Sequence, residues 1–147
     1  MSKFPVAYID IRVFAHATED QDKVIAAARN VISPEHWETN QFKKTSVTGH
    51  HGNPIVLLET RIEDEDAAEG ILRNLAQGLS ILDKERLSSE FEQFLEKGNL
   101  YVRLNKQFGY RNRLKLESAD PIHLRLHFRK PRVEEVKDVC IRYGLIG

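Results

Sequence analysis

The sequence predicts a single-domain α+β protein whose mostly antiparallel sheet carries helices on one face. Three observations predict it. Several short segments alternate apolar and polar residues with period two, as strands with one buried side do. The segments between them place apolar residues on one helical stripe each. Turn-rich connections, most clearly GHHGNP at 49–54, join neighbouring strands as hairpins do. No linker, low-complexity tract or internal repeat divides the 147 residues, so one domain is expected over 1–147.

The elements follow in order. In 6–15, Ile9, Ile11, Val13 and Ala15 oppose Tyr8, Asp10, Arg12 and Phe14, which predicts a strand. Thr18 to Gln21 reads as a capping box. The helix behind it gathers Val24, Ala27, Ala28, Val31 and Ile32 on one stripe. Ser33-Pro34 ends that helix, and the proline can open one further turn. Strands are expected over 42–47 and 55–62, paired around the 49–54 loop. An acidic-started helix over 64–78 buries Ala67, Ala68, Ile71, Leu72 and Leu75, its carboxylates suiting the positive end of the helix dipole. A second helix over 84–97 buries Leu87, Phe91, Phe94 and Leu95, with Gly98 as its left-handed stop. Three late strands follow, over 100–104, 113–117 and 122–128, with a turn at 118–121. A last helix over 133–143 buries Val136, Val139 or Cys140, and Tyr143.

Charge is distributed unevenly. The chain balances 22 basic against 22 acidic residues. Residues 99–132 nevertheless carry a net +7, and residues 63–98 a net −6. Two electrical poles are therefore expected, and a dense basic pole can hold a polyanion even at zero net charge. With 41% hydrophobic and 30% charged residues, the composition is that of an ordinary globular protein, neither disordered nor membrane-embedded. The N-terminus lacks the apolar core of a signal peptide, and a cytoplasmic location is expected. A single cysteine, Cys140, excludes an internal disulfide and reads as a buried structural thiol.

In the late strands the polar face carries the cations. Tyr101, Arg103, Arg113, Lys115, His123, Arg125, His127 and Arg129 all fall opposite apolar residues. If the strands are adjacent, these groups lie about 5 Å apart from strand to strand, a spacing at which several phosphates can be met at once. Tyr101, with Phe108 and Tyr110, offers stacking surfaces for bases. Lys106, Arg111, Lys130 and Arg132 are placed at strand ends or connections, where they would clamp a backbone. The alternative is a solvated face, or one neutralised by acidic helices of the same chain or of a second copy. A second candidate is the loop with His50 and His51, flanked by Lys43 and Lys44 on the incoming strand. Adjacent side chains on extended backbone point apart, so the two histidines form no natural chelate and no metal is expected. The residues expected to meet nucleic acid are thus Lys43, Lys44, His50, His51, Tyr101, Arg103, Lys106, Arg111, Arg113, Lys115, Arg125, His127, Arg129 and Lys130.

Catalytic patterns are missing. There is no phosphate-binding glycine loop, no nucleophile elbow and no helical histidine pair with an intervening acid, so no enzyme and no cofactor are expected.

The blocks VAYIDIRVFAHATED (6–20), GHHGNPIVLLETRI (49–62) and GNLYVRLNKQ (98–107) resemble an archaeal RNA-binding family described as a predicted exosome-associated subunit. The blocks keep the family order and the resemblance spans nearly the whole chain. It implies a fold similar to the ribosomal protein that contacts five-S rRNA, and a role in RNA binding or processing. It carries over no catalytic residue. The expected function is therefore a non-catalytic RNA-binding protein using a basic sheet face, accessory to RNA processing, an exosome or ribosome assembly. The alternative is an assembly module forming a homodimer without nucleic acid.

Overall fold

Period-two segments can bury one side only by pairing, and here they pair into one sheet. The computed structural model describes residues 3–49 and 52–147. Its strands are Val6–His16 (β1), Lys43–Thr48 (β2), Pro54–Ile62 (β3), Leu95–Glu96 (β4), Asn99–Leu104 (β5) and Ile122–Phe128 (β6). They form a six-stranded sheet in the order β2-β3-β1-β6-β5-β4, and every pair is antiparallel. The helices are Gln21–Arg29 (α1), Glu65–Gly78 (α2), Ile81–Ser89 (α3), Phe91–Phe94 (α4), Lys106–Tyr110 (α5) and Val133–Tyr143 (α6), with a 3₁₀ turn at Pro34–His36. Among the described residues no helix is long and apolar enough to cross a membrane.

The core lies between the sheet and the helical layer. Ile9 and Ile11 of β1, Leu58 and Ile62 of β3, Leu100 of β5 and Leu124 and Leu126 of β6 are all 0% exposed. They meet Ala67, Ile71, Leu72 and Leu75 of α2 and Val136 and Cys140 of α6 in one cluster. Each such side chain contributes about 1.5–3 kcal/mol by leaving water. Cys140 sits among them with its thiol pushed up to about 12 by burial, which keeps it protonated and inert.

Local choices differ from the sequence pattern at four places. The α1 cap is Asp20, whose carboxylate accepts from the Asp22 and Lys23 amides, and not the Thr18 box. That helix ends at Arg29, so Val31 and Ile32 are buried from the segment that follows it. The helix expected over 84–97 starts earlier, because the Ser80 hydroxyl accepts from the Asp83 amide and caps it. It breaks at Glu90, and Leu95 joins a strand. Gly98 is left-handed as expected (φ 81°), but Lys97 (φ 50°) is left-handed too, so the pair makes a hairpin turn between β4 and β5 rather than a helix stop.

The fourth difference matters most for the site. Residues 113–117 form no strand; a single bridge joins Leu104 to Leu116. After β5 the Asn105 side chain accepts from the Phe108 amide and starts α5. Gly109 then seats α5 against α1, where a Cβ would fall 3.0 Å from the Ala27 carbonyl oxygen. Leu114 packs against Gly78 of α2 in the helical layer. The chain from 106 to 115 therefore follows the helices, and its cations leave the sheet face with it.

Candidate nucleic-acid interface

The central strands bury one side against the core and leave the alternate side partly exposed, and strand register sets which residues share that open side. One row crosses five strands: Lys43 pairs with Glu59, Glu59 with Arg12, Arg12 with His123, and His123 with Arg103. The next row holds Arg61, Asp10, Arg125 and Tyr101. All of these except Arg103 line a broad depression of about 700 Å³. Lys43, Arg12, Arg61 and Arg125 face the carboxylates of Asp10 and Glu59 there.

Asp10 is the organising anion. It accepts a two-pronged bond from Arg61, at 2.7 and 3.0 Å, and a third bond from Arg125 at 2.6 Å. Burial alone would raise its pKa; the bonds from Arg61 and Arg125 and their charges outweigh that and hold the carboxyl below its usual range. One carboxylate shared by two guanidinium groups leaves net positive charge while fixing both. Asp10 is thus ionised in the fold at a pH where the unfolded chain binds a proton. Its contribution to stability is present above the unfolded value of about 3.9 and fades as pH falls through the lower folded value. Asp10→Asn should accordingly lower the urea midpoint at neutral pH, and its deficit against wild type should close as pH drops below about 4. A deficit independent of pH would show that the carboxylate charge is not the cause.

Rings and cations interlock on this face. Arg61 lies 3.9 Å from the Tyr8 ring centre, and His127 stacks on Tyr8 at 4.7 Å. His127 Nδ1 is 2.7 Å from Asn99 Oδ1. Tyr101 stacks on His123 at 5.5 Å, with Arg103 at 5.8 Å from the Tyr101 ring. Tyr8 and Tyr101 are therefore engaged by side chains of adjacent strands. His123 Nε2 is buried without a hydrogen-bond partner. Burial, then the charges of Arg103, Arg12 and Arg125, lowers the His123 pKa. Burial is the larger cause and the three arginines add to it, so the imidazole is held toward its neutral form in the midst of cations.

The residues expected from the sequence do not all share one surface. Lys43, Tyr101, Arg103, Arg125 and His127 share the open face. Lys44 lies on the other face of β2, opposite Leu58, and is exposed there. Arg129 and Lys130 lie at the far end of β6, Arg129 donating to the Phe4 carbonyl and Lys130 3.6 Å from Glu135. Arg111, Arg113 and Lys115 go with α5 to the helical side. His50 and His51 lie outside the described residues.

Lys106 needs a correction. Its ammonium donates to the Phe14 carbonyl at 2.6 Å, to Asp120 at 2.8 Å and to Glu19 at 3.1 Å, and only 11% of the side chain is exposed. It is spent inside the fold. His16, Glu19 and Asp120 gather ligand atoms within 4.8 Å of one another, but the Lys106 ammonium sits among them as their cation. Conversely, Tyr8, Arg12 and Arg61 belong to the face and were not among the expected residues. Their signal is strand parity: it sets Tyr8 and Arg12 opposite Ile9, Ile11 and Val13 in β1, and the same alternation puts Arg61 on the side of β3 away from Leu58 and Ile62.

Comparison with known proteins places the chain among RNA-binding relatives. A family model described as RNA binding matches residues 8–128. The RNA-binding protein PAB1135 of Pyrococcus abyssi is 34% identical over 146 residues, covering 95% of this chain and 93% of that protein. Among solved structures, Mth689, a DUF54 protein from Methanothermobacter thermautotrophicus, is 29% identical with a TM-score of 0.75, covering 95% of this chain and 98% of that one. Protein AF2318 from Archaeoglobus fulgidus, also of DUF54, shares the fold with a TM-score of 0.78 at 23% identity, over 92% of this chain and 99% of that one.

Proposed function

This chain belongs to the RNA-binding family, and we propose that it binds RNA through the open face of its sheet without acting on it chemically. The observation that carries this reading is the gathering of Arg12, Arg103 and Arg125 around His123 on one face of the sheet, guanidinium groups that a phosphate backbone can meet together. Adjacent strands hold Arg12, His123 and Arg103 in line at about 5 Å spacing, on a framework already fixed by Asp10. A face this ordered loses little side-chain entropy on binding.

The character of the contact follows from the rings. Tyr8 and Tyr101 are taken up by lateral stacks, so the face presents guanidinium, phenol and imidazole edges. Edges of that kind suit phosphate and sugar oxygens, and the face is read here as holding a backbone, including that of a duplex. The protein then serves as a cytoplasmic accessory in RNA processing, an exosome or ribosome assembly, delivering or shielding an RNA segment.

The test is a salt titration of binding to a blunt-ended RNA hairpin. The log of the association constant should fall linearly with log salt, with a slope of about −3 to −5 for the cations named. Affinity unchanged between 50 and 200 mM salt would overturn the reading. A homodimer has an observation of its own, since Ile81 and Leu82 at the start of α3 are 74% and 76% exposed. That apolar pair belongs to the helical layer, so self-association there is compatible with an RNA held on the sheet.

A further inference from the structure

The cations that leave the sheet with α5 do not disperse. Arg111 and Arg113 gather with Lys23 around a hollow of about 520 Å³ between α1 and α5, and Lys115 stands beside the same helix. We infer that this corner is a second RNA contact, a site for one or two unpaired nucleotides leaving the duplex held on the sheet. The inference rests on the proposed RNA-binding function and adds a place and a substrate class to it.

Two aromatic rings single the corner out. Phe108 and Tyr110 are 37% and 48% exposed, although a short helix against α1 has other ways to fill its solvent side. Unlike Tyr8 and Tyr101, neither ring is stacked on another ring among the described residues. Their charged neighbours are ammonium groups, Lys115 at 5.2 Å from the Phe108 centre and Lys23 at 5.7 Å from that of Tyr110. An open ring beside a cation offers a π-face to a base and a charge to its phosphate.

The electrostatics agree. Lys23, Arg111, Arg113 and Lys115 have no carboxylate within ion-pair distance among the described residues. The acids that line the hollow are already committed: Glu19 to Lys106, and Asp20 to the α1 amides. The platform is also held still. Asn30 Nδ2 donates to the Gly109 carbonyl at 2.9 Å, and Asn105 caps the helix. The volume is that of a small-ligand site, large enough for a nucleotide.

The two surfaces connect. Arg103 on the open face and Lys106 at the start of α5 are three residues apart, roughly 10 Å of extended chain. Glu117 lies along that path, but its carboxylate accepts from the Asn105 side chain and from the Ser118 amide. A strand peeling off a duplex on the sheet thus meets the corner within a few nucleotides.

The experiment compares a blunt RNA hairpin with the same hairpin carrying a two-nucleotide 3′ extension that contains 2-aminopurine. With the wild-type protein the extension should raise affinity about tenfold, and 2-aminopurine emission should be quenched on binding. Tyr110→Ala should lose both effects yet bind the blunt hairpin as wild type does. Tyr110→Phe, which keeps the ring, should retain both and so excludes a folding artefact. No gain from the extension, or an undiminished gain in Tyr110→Ala, would overturn the inference. So would displacement of the extension, with recovery of emission, by polyglutamate as readily as by RNA, which would mark a surface for an acidic protein. Should the blunt hairpin fail to bind at all, the sheet-face reading falls. The corner then stands only if a six-nucleotide single strand still binds in a Tyr110-dependent way, and falls otherwise.

Discussion

Replacing Arg12, Arg103 and Arg125 together with glutamine is expected to weaken binding to a blunt RNA hairpin on the order of 100-fold at 0.1 M salt. The magnitude follows from counterion release. Each phosphate neutralised contributes about 0.9 to the slope of log affinity against log salt, so three lost contacts should flatten the slope by between two and three. At 0.1 M that difference accumulates to about two or more powers of ten relative to 1 M. The fold should survive the change. Arg12 is 3.7 Å from Glu59 with both side chains substantially exposed, and such a pair is worth at most about 1 kcal/mol. Arg125 leaves behind an Asp10 still held by two bonds from Arg61. Arg113→Gln is the internal control: it removes a charge from the same stretch of sequence but from the helical side, and should leave blunt-hairpin affinity unchanged. Equal losses from Arg113→Gln and from Arg103→Gln would show that total charge, and not the sheet face, governs binding.

That control marks where the sequence was legible and where it was not. Strand parity is local, and it assigned the two sides of β1, β3, β5 and β6 correctly because one face of each is packed with apolar residues. A charge count along the chain is a different measure. It rewards neighbours in sequence, whereas a sheet gathers residues by register. Arg12 and His123 are cross-strand partners, yet they lie far apart in the chain, so Tyr8, Arg12 and Arg61 escaped a search confined to the basic stretch. The same count placed Arg111, Arg113 and Lys115 on the sheet face with the others. Their segment shows the alternation of a strand, but Gly109 and the Asn105 cap direct it into the helical layer and leave it a single bridge to β5, at Leu116. The helix expected over 84–97 failed for a related reason: Lys97 and Gly98 have the residue types of a helix stop and of a hairpin turn alike, and only pairing with β5 decides between them. Lys106 shows the limit most plainly. Its acids, Glu19 and Asp120, are 87 and 14 residues distant, and nothing in its neighbourhood along the chain distinguishes a free lysine from a committed one.

Lys106→Met should therefore act on stability and not on RNA. Removing the ammonium strands Glu19 and Asp120 beside each other, with the Phe14 carbonyl losing its donor as well. Breaking a fully buried pair costs about 3–5 kcal/mol. Glu19 and Asp120 are 30% and 46% exposed, so water screens part of the repulsion and a loss of about 2 kcal/mol is expected, some 4–8 °C in melting temperature for a chain this size. The pH dependence identifies the cause. Burial would raise the Asp120 pKa, but hydrogen bonds from Lys106 and His16 and their charges hold it below its usual value. That stabilisation is present above the unfolded value and is lost as pH falls through the folded one. The deficit of Lys106→Met should hence be largest near neutrality and shrink below about pH 4, as the Asp120 carboxyl takes up its proton. Affinity for the blunt hairpin, measured at a temperature where the variant is folded, should stay within about twofold of wild type, because a charge already neutralised by two carboxylates releases few counterions. A loss of affinity comparable to that of Arg103→Gln, with no change in melting temperature, would return Lys106 to the RNA and remove the structural role assigned to it here.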